Sequence, residues 1–394
     1  MLIEEIRKKL MASGHNLTDD EVMAVIEETV LYGEEELPFD EYEKIIKRIY
    51  ARLRSKLGIL DLYIKDEQVN EIMINGPDTF FFETKEGMHR LEESFESTEE
   101  LEEVIRNIAA GVHREINEMH PILDARLPDG SRVNAVYKNI AAGGPILTIR
   151  KFAKERIRME DMIAGGTISA ECADFLYKLV RCGYNLFICG GTSSGKTTFL
   201  NALSEAIPKD ERVIVIEDST ELQLTHIKNL VQMECHQANA MGQGAVSMDM
   251  LIKTSLRMRP DRIIVGEVRG KEVADMLQAM NTGHDGSMST GHGNSADGML
   301  RRLEAMYLMS AQIPMDAIRA QIVEGIDVLI HLGRLGHGRR MVMEVQELLD
   351  YENGRYVLNP LFLLNENQKL QATGNPLKRN RKMLLKENYN DRNN

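Results

Sequence analysis

Tryptophan is absent from this 394-residue chain, aromatic residues make up only 5%, and cysteine occurs four times, at Cys172, Cys182, Cys189 and Cys235. No two of these form a C-x-x-C pair, which excludes the usual zinc-ribbon and dithiol redox motifs. Cys189 sits in an apolar run and reads as a small core residue. A reducing cytosol is the expected compartment. No apolar run approaches the roughly 20 residues that a transmembrane helix needs. Residues 1–16 carry charges throughout and have no apolar centre, so no signal peptide is expected and no direct membrane insertion. Membrane association would run through partner proteins. Positive charge is also in deficit: 48 Lys and Arg stand against 61 Asp and Glu, a net charge of −13. Bulk electrostatics therefore gives no argument for binding nucleic acid or anionic lipid. No internal repeat is visible.

What remains is ordinary globular composition, 43% hydrophobic and 28% charged, in a chain long enough for more than one domain. Its organising stretch is Gly190-Gly191-Thr192-Ser193-Ser194-Gly195-Lys196-Thr197-Thr198, which fits the phosphate-loop pattern G-x-x-x-x-G-K-[ST]. The apolar run Asn185-Leu186-Phe187-Ile188-Cys189 before it reads as a buried strand, and Phe199-Leu200-Asn201-Ala202-Leu203 after it as a helix. Glycines at 190, 191 and 195 permit tight turns that aim successive amide N–H groups at phosphate oxygens. The helix N-terminus adds partial positive charge. Lys196 would reach the β- and γ-phosphates, and Thr197 would offer its hydroxyl to Mg²⁺. The alternative, a Gly/Ser-rich surface turn, leaves the flanking strand, helix, Lys and Thr without explanation.

Taken in order, residues 1–57 read as a helical N-terminal extension. Leu17-Thr18-Asp19-Asp20 supplies capping residues before Val22, Val25, Ile26 and Val30, and Pro38 opens a further helix. It serves either as a cap on the next domain or as a docking module. Residues 58–150 read as an α+β domain. Short strands are expected at 59–64, 69–75 and 79–82, a helix at 98–113, a hairpin across Pro128-Asp129-Gly130, and a strand at 146–150. Residues 151–168 carry the expected linker. From 169 to 365 strand and helix signals alternate, which predicts a twisted sheet with helices on both faces. Val328–Leu332 and Met341–Leu348 read as a hairpin. Residues 366–394 are Asn-, Lys- and Arg-rich without periodicity and are expected to form a disordered basic tail.

A phosphate loop needs acidic partners, and two apolar strands end in them. Val213-Ile214-Val215-Ile216 runs into Glu217-Asp218, with Glu221 one turn on. Ile263-Ile264-Val265 runs into Gly266-Glu267. An acid at the end of such a strand can hold Mg²⁺ through water or polarise the attacking water. The longer glutamate at 267 suits a water-mediated contact. His284 and His292 flank a Gly/Ser/Thr-rich segment. No third ligand at metal spacing lies nearby, which disfavours zinc, and a histidine near a γ-phosphate can instead sense its charge. Arg126, Arg132 and Arg150 precede the nucleotide core. Any one of them could be ordinary surface arginine, but their place on strands before the linker suits a phosphate contact.

The order of these motifs resembles the type II/type IV secretion ATPase superfamily, and within it the tight-adherence pilus-assembly (CpaF-type) branch. The resemblance spans roughly residues 59–350. It rests on Val69-Asn70-Glu71-Ile72-Met73-Ile74-Asn75-Gly76, Asp129-Gly130-Ser131-Arg132-Val133-Asn134, Leu147-Thr148-Ile149-Arg150-Lys151-Phe152 and the phosphate loop. It continues through Ile216-Glu217-Asp218-x-x-Glu221-Leu222, Arg259-Pro260-Asp261-Arg262 with Gly266-Glu267-Val268-Arg269-Gly270, and Thr282 to His292. The resemblance implies an α/β, RecA-like P-loop NTPase domain preceded by a smaller α+β, PAS-like domain. It implies a ring-shaped homohexamer with ATP and Mg²⁺ as cofactors. Glu221 matches the glutamate that activates water, and Glu267 the Walker-B glutamate on the Mg²⁺ side. His292 matches the His-box residue near the γ-phosphate. Arg132 and Arg150 match arginines that reach the γ-phosphate and couple it to domain closure; Arg126 and Arg269 match less directly. Two departures stand out. Gly293 follows His292 where the family more often has Ala, which is expected to loosen the loop. The four-cysteine zinc motif of the type II secretion and pilus-extension branches is missing.

The expected function is a cytoplasmic ATPase at the cytoplasmic face of the inner membrane. It would act on an inner-membrane platform protein to drive assembly of a pilus-like filament or protein secretion. A type IV secretion or conjugation motor would use the same catalytic residues. A nucleotide-gated DNA-binding or regulatory protein is the alternative from another class. The net charge and the lack of a basic–aromatic stripe weigh against it, and the basic tail argues for it.

Overall fold

The computed structural model of the protein describes residues 2–13, 17–32, 38–84, 86–152, 156–236 and 243–391. The chain divides into two compact units, Met1–Lys154 and Glu155–Asn394.

The first unit opens with α1 (Leu2–Ser13), α2 (Asp19–Leu31) and α3 (Phe39–Arg54). Thr18 and Glu21 form the capping box that starts α2: Glu21 N donates to Thr18 Oγ1 at 3.3 Å and Thr18 N to Glu21 Oε2 at 2.7 Å. Ile6, Val22, Ile26, Val30 and Ile49 close a small core between the three helices. The expected strand at 59–64 is instead helix α4 (Leu60–Lys65), with an i,i+4 ion pair from Lys65 to Asp61. Its short apolar run fits either period, and burial of Ile59 and Leu60 against the domain core decides for the helix.

Strands β1 (Glu71–Asn75), β2 (Phe80–Thr84) and β3 (Gly87–Leu91) follow, then helix α5 (Thr98–Gly111), then β4 (Ile122–Arg126), β5 (Arg132–Val136) and β6 (Ile146–Arg150). Among the described residues they make a six-stranded sheet of order β3-β2-β1-β6-β5-β4, and every pairing in it is antiparallel. The alternating residues Ile72, Ile74, Val133, Ala135, Leu147 and Ile149 are buried with Leu101, Ile105 and Ile108 of α5. The residues between them face the other way, which places the arginines discussed below. Gly76, at φ +80°, makes the turn after β1, where a Cβ would stand 2.4 Å from Gly143 O.

The second unit begins with α6 (Met159–Ala164) and α7 (Ala170–Arg181). Met159, Met162 and Ile168 are buried in the core of this unit. The described part of the stretch read as linker, 151–168, is therefore largely domain structure; residues 153–155 lie outside the described residues. The nucleotide core follows as β7 (Leu186–Gly190), α8 (Lys196–Ser204), β8 (Arg212–Glu217), β9 (Asn229–Glu234), α9 (Met248–Ser255), β10 (Arg262–Val268), α10 (Val273–Asn281), β11 (Met288–His292), α11 (Ala296–Leu308) and α12 (Met315–Gly325). It ends with β12 (Val328–Arg334), β13 (Arg340–Glu352), β14 (Arg355–Leu364), β15 (Leu370–Ala372) and α13 (Arg381–Asp391).

Among the described residues these strands form one nine-stranded sheet of order β15-β14-β13-β12-β7-β11-β10-β8-β9. From β12 to β9 all neighbours are parallel, and from β12 to β15 all are antiparallel. Both faces of the parallel part are covered. Leu186, Ile188, Val213, Val215 and Ile330 pack on one side with α7 and α8. Phe187, Cys189, Ile214, Ile216 and Leu329 pack on the other with α9 to α12.

One expectation changes here, and one segment left unassigned by its sequence takes a defined form. The Gly/Ser/Thr-rich segment before His292 contains a central strand, β11, because its small residues are buried between β7 and β10. A Cβ on Gly291 would meet Met299 Cε at 2.9 Å and Phe187 Cζ at 3.0 Å. The stretch 366–394, expected as a disordered tail, adds β15 to the sheet edge and returns to the core. Glu347, 1% exposed, accepts the backbone N–H groups of Lys378 and Arg379. Arg379 donates to Val323 O and Leu349 O. Lys382 Nζ stands 2.8 Å from both Asp327 and Asp285. Residues 392–394 lie outside the described residues.

Candidate nucleotide site

Parallel strands end on the same edge of a sheet, and ligands of open α/β sheets lie at that edge. Gly190 ends β7, Glu217 ends β8, Glu267 lies at the end of β10 and His292 ends β11. Four stretches far apart in sequence are thereby gathered by topology alone.

The loop after β7 carries two residues in left-handed backbone, Ser193 (φ +58°) and Gly195 (φ +91°). A Cβ on Gly190 would stand 2.5 Å from Leu332 O and from Ser194 Oγ, so only glycine lets the loop fold back. Gly195 is the N-cap of α8 and no side chain caps that helix. Phe199 N donates to Gly195 O at 2.8 Å, which leaves the earlier N–H groups of the turn without an intrahelical partner. Ser194 Oγ is buried and lacks a hydrogen-bond partner among the described residues. Gly191, Thr192, Thr197 and Thr198 retain solvent access around this cradle. An uncapped helix start and a buried polar atom without a partner fit a phosphate group.

Lys196 is folded back onto its own loop. Its Nζ donates to Gly190 O and Gly191 O, each at 3.2 Å, and lies 3.3 Å from His292 Nδ1 and 3.7 Å from Glu267 Oε1. Burial pushes its pKa below the usual lysine range, and the nearby Glu267 only partly offsets this. His292 Nε2 lies 3.0 Å from Glu267 Oε1, so the imidazole stands between the lysine and the carboxylate. Burial pulls His292 below its ordinary value, against the opposing effect of Glu267. A neutral ring can accept from Lys196 at Nδ1 and turn its Nε2 proton toward the carboxylate, though without an aligned hydrogen bond to Glu267 Oε1.

Glu267 is held from the other side by Arg269. Arg269 Nε and Nη2 donate to Glu267 Oε2 at 2.9 and 2.6 Å, and Nη1 lies 3.6 Å from Asp218 Oδ2. Burial raises the Glu267 pKa, but Arg269, His292 and Lys196 together hold it below the usual range. Glu267 Oε1 remains buried without an aligned hydrogen bond. The register of β10 against β11 shifts between Val265 and Val268, and Thr290 Oγ1 takes up Gly266 O at 2.7 Å. That bulge re-aims the strand where Glu267 sits. Arg269, the less direct of the sequence candidates, is thus central to this cluster.

Glu217 has a different part from the one its motif suggested. It is 4% exposed, and its Oε1 accepts the backbone N–H groups of Glu221 at 3.0 Å and Leu222 at 3.1 Å. It shapes the turn that presents Glu221 and is committed to that backbone. Thr220 N and Oγ1 tie the same turn to Glu234 Oε2 at 3.2 and 2.8 Å. Sequence reading also missed Arg340, whose Nε donates to Ser193 O at 3.0 Å and pins the loop tip from β13. No motif signals it; only the pairing of β12 with both β7 and β13 brings it there. Gly293 has a packing reason as well: a Cβ there would meet Met299 Cβ and Sδ at 3.0 Å. His284 sits before β11, beyond its opposite end from His292, with Nδ1 3.1 Å from Ala279 O. Among the described residues no cluster of three or more His, Cys, Asp or Glu is arranged to hold a metal ion.

Arg132 and Arg150 belong to the first unit, where the register aligns them. Arg126 pairs with Arg132 across β4–β5, Arg132 with Arg150 across β5–β6, and Arg150 with Glu71 across β6–β1. The three arginines therefore form one row on the face opposite the core. Burial raises the Glu71 pKa, with Arg150 opposing. Like charges directly opposite each other in a sheet repel, and Glu71 beside Arg150 and the contacts of Arg126 with Gly130 O and the Phe152 ring offset part of that.

Residues 54–349 match the family described as type II/IV secretion system protein. An uncharacterized protein of Methanocaldococcus jannaschii is 43% identical over 257 residues, which are 63% of this chain and 35% of that one. This chain thus aligns with about a third of that relative's length. The conjugal transfer protein TrbB of Rhizobium radiobacter is 33% identical over 78% of this chain and 93% of its own. The X-ray structure of the Yersinia pseudotuberculosis ATPase DotB superposes with a TM-score of 0.54, at 19% identity, over 82% of this chain and 84% of that one, which shows a shared fold. The sheet topology, the phosphate loop and these matches agree, and the chain belongs to the type II/IV secretion system protein family.

Proposed function

We propose that this protein is a P-loop ATPase that hydrolyses ATP to power protein secretion or assembly of a pilus-like filament. The observation that carries the reading is the set of charged side chains at one sheet edge beside an uncapped helix N-terminus: Lys196, His292, Glu267 and Arg269 in mutual contact. The loop 190–198 would hold the phosphates through its N–H groups and Lys196. Thr197 and Glu267, the latter through water, would hold Mg²⁺, which when bound neutralises charge on the phosphate oxygens. The unaligned Glu267 Oε1 fits that task. Glu221 would accept a proton from the attacking water as the water oxygen bonds to the γ-phosphorus. The bond from phosphorus to the β–γ bridging oxygen breaks, and ADP leaves. His292 would report phosphate charge to Glu267 through its two ring nitrogens. Arg132 and Arg150 would reach the γ-phosphate and couple it to domain closure; their shared row supports this.

The working assembly is a homohexamer at the cytoplasmic face of the inner membrane, acting on a platform protein of the machine. No helix among the described residues is long and apolar enough to cross a membrane. The match to TrbB over nearly its whole length favours a conjugation or type IV secretion motor, whereas the tight-adherence reading rests on motif order. The basic C-terminal residues Arg379 and Lys382 are engaged within their own unit, which removes the main support for a DNA-binding role. Light scattering of the full chain with Mg-ATP tests the ring. A mass of six chains is expected; a monomer or dimer that turns over ATP at full rate would overturn it.

A further inference from the structure

Glu221 is the first of three residues that share a side of an extended segment. Burial alternates along it: Leu222 and Leu224 are 1% and 2% exposed, whereas Glu221, Gln223 and Thr225 face the other way. Arg156 grips two of those three. Its Nε donates to Gln223 Oε1 and its Nη1 to Thr225 Oγ1, each at 3.0 Å. Its Nη2 is buried and has no hydrogen-bond partner among the described residues. The same segment is fixed on its backbone side. Gln223 N donates to Asn201 Oδ1 on α8 at 2.9 Å, and Gln232 Nε2 donates to Leu222 O at 2.9 Å. Asn201 and Gln232 belong to α8 and β9, whereas Arg156 lies outside the strands and helices. It lies two residues after the division between the units at Lys154.

We propose that Arg156 is a positioning residue for Glu221. It clamps the extended segment from the side on which the carboxylate emerges and so sets the aim of that carboxylate. A planar guanidinium can hold two acceptors two residues apart in one plane; an ammonium cannot. Arg156 donates to Gln223 and Thr225 rather than to the phosphate loop, and the segment meets α8 at Asn201, five residues beyond Lys196, so the clamp acts on the chemical step more than on nucleotide affinity.

The inference rests on the reading of Glu221 as the residue that activates water. Its test is steady-state turnover of the full-length protein, with the dissociation constant of Mg-ADP measured separately. Arg156→Ala is expected to lower kcat about tenfold while KM for ATP and the Mg-ADP constant stay within about twofold, as for a misaimed catalytic group. Arg156→Lys is expected to recover only part of that loss. Thr225→Val, which removes one acceptor and keeps the side-chain shape, is expected to lower kcat about threefold, and it decides the matter if Arg156→Ala does not fold. A folded Arg156→Ala protein with wild-type kcat would overturn the inference, as would equal losses of kcat and ADP affinity. Wild-type turnover in Glu221→Gln would overturn both this inference and the reading beneath it. Loss of turnover in Glu221→Gln with full turnover in Arg156→Ala and Thr225→Val would overturn this inference alone.

Discussion

The two edges of the parallel sheet are both rich in polar and charged side chains, and they are built differently. At the edge where the strands begin, Arg262 and Asn185 are both mated. Arg262, 2% exposed, spans Glu211 and Val180 O, and a Cβ on Gly286 would lie 2.5 Å from its Nη1. Asn185 accepts from the N–H groups of Gly286 and Ser287 at 2.9 and 3.0 Å and donates to Gly325 O at 2.9 Å. At the edge where the strands end, Ser194 Oγ and Glu267 Oε1 are buried without aligned partners. Lys196 is driven below its usual pKa by burial. Arg262 and Asn185 are satisfied within the fold, whereas Ser194 Oγ and Glu267 Oε1 fit the proposed role of groups left for a ligand to satisfy.

That contrast breaks most sharply at Lys196. Lys196→Ala should reduce ATP turnover by about a thousandfold or more, the scale for losing a charge-stabilising donor. Because burial disfavours the lysine's charged form, the ligand-free variant should melt at or above the wild-type temperature. A large drop in melting temperature would mean that Lys196 serves the fold. Arg262→Ala is the mirror experiment. It leaves Glu211 without its partner and should cost roughly 3–5 kcal/mol of stability in denaturant unfolding. Nucleotide affinity of the remaining folded protein should be unchanged; an unchanged unfolding midpoint would erase the distinction between the edges. A smaller effect sharpens the same point at His292. Its pKa is depressed, so the ring is neutral at neutral pH and takes a proton only below the ordinary imidazole range, near pH 6.5. Protonation would place another cation beside Lys196 and Arg269. Turnover should therefore be level through neutral pH and fall as pH drops through the depressed value. His292→Gln should remove that acid limb from the profile of kcat/KM.

The residues gathered at the candidate site were largely legible in the sequence, and their connections were not. The phosphate loop declares itself because one contiguous stretch carries the whole pattern. Glu267 could be found because it follows a β-propensity run, and His292 because its Gly/Ser/Thr-rich segment resembles the family's His box. Strand position alone did not separate Glu217 from Glu221, since both are acids after a buried strand; the family resemblance singled out Glu221, and the turn between them makes Glu217 the acceptor of its N–H. Arg269 looked secondary because it lies one residue past the end of β10, where strand alternation no longer assigns it a face, and the register of β10 is irregular just before it. Arg340 and Arg156 carry no motif, since sheet order and chain return place them. In the fold, α4 was misread because six residues are too few to separate periods 3.6 and 2. The end of the chain was misread because its anchors are single side chains such as Arg379 and Lys382 without apolar periodicity.

The central claim is that the open edge performs ATP hydrolysis through Glu221. The direct measurement is steady-state ATP turnover by the wild-type chain and by Glu221→Gln under the same Mg²⁺ concentration. The account predicts measurable wild-type hydrolysis, and in the variant a loss of about a hundredfold or more with ATP binding retained. Equal turnover in the two proteins would contradict it.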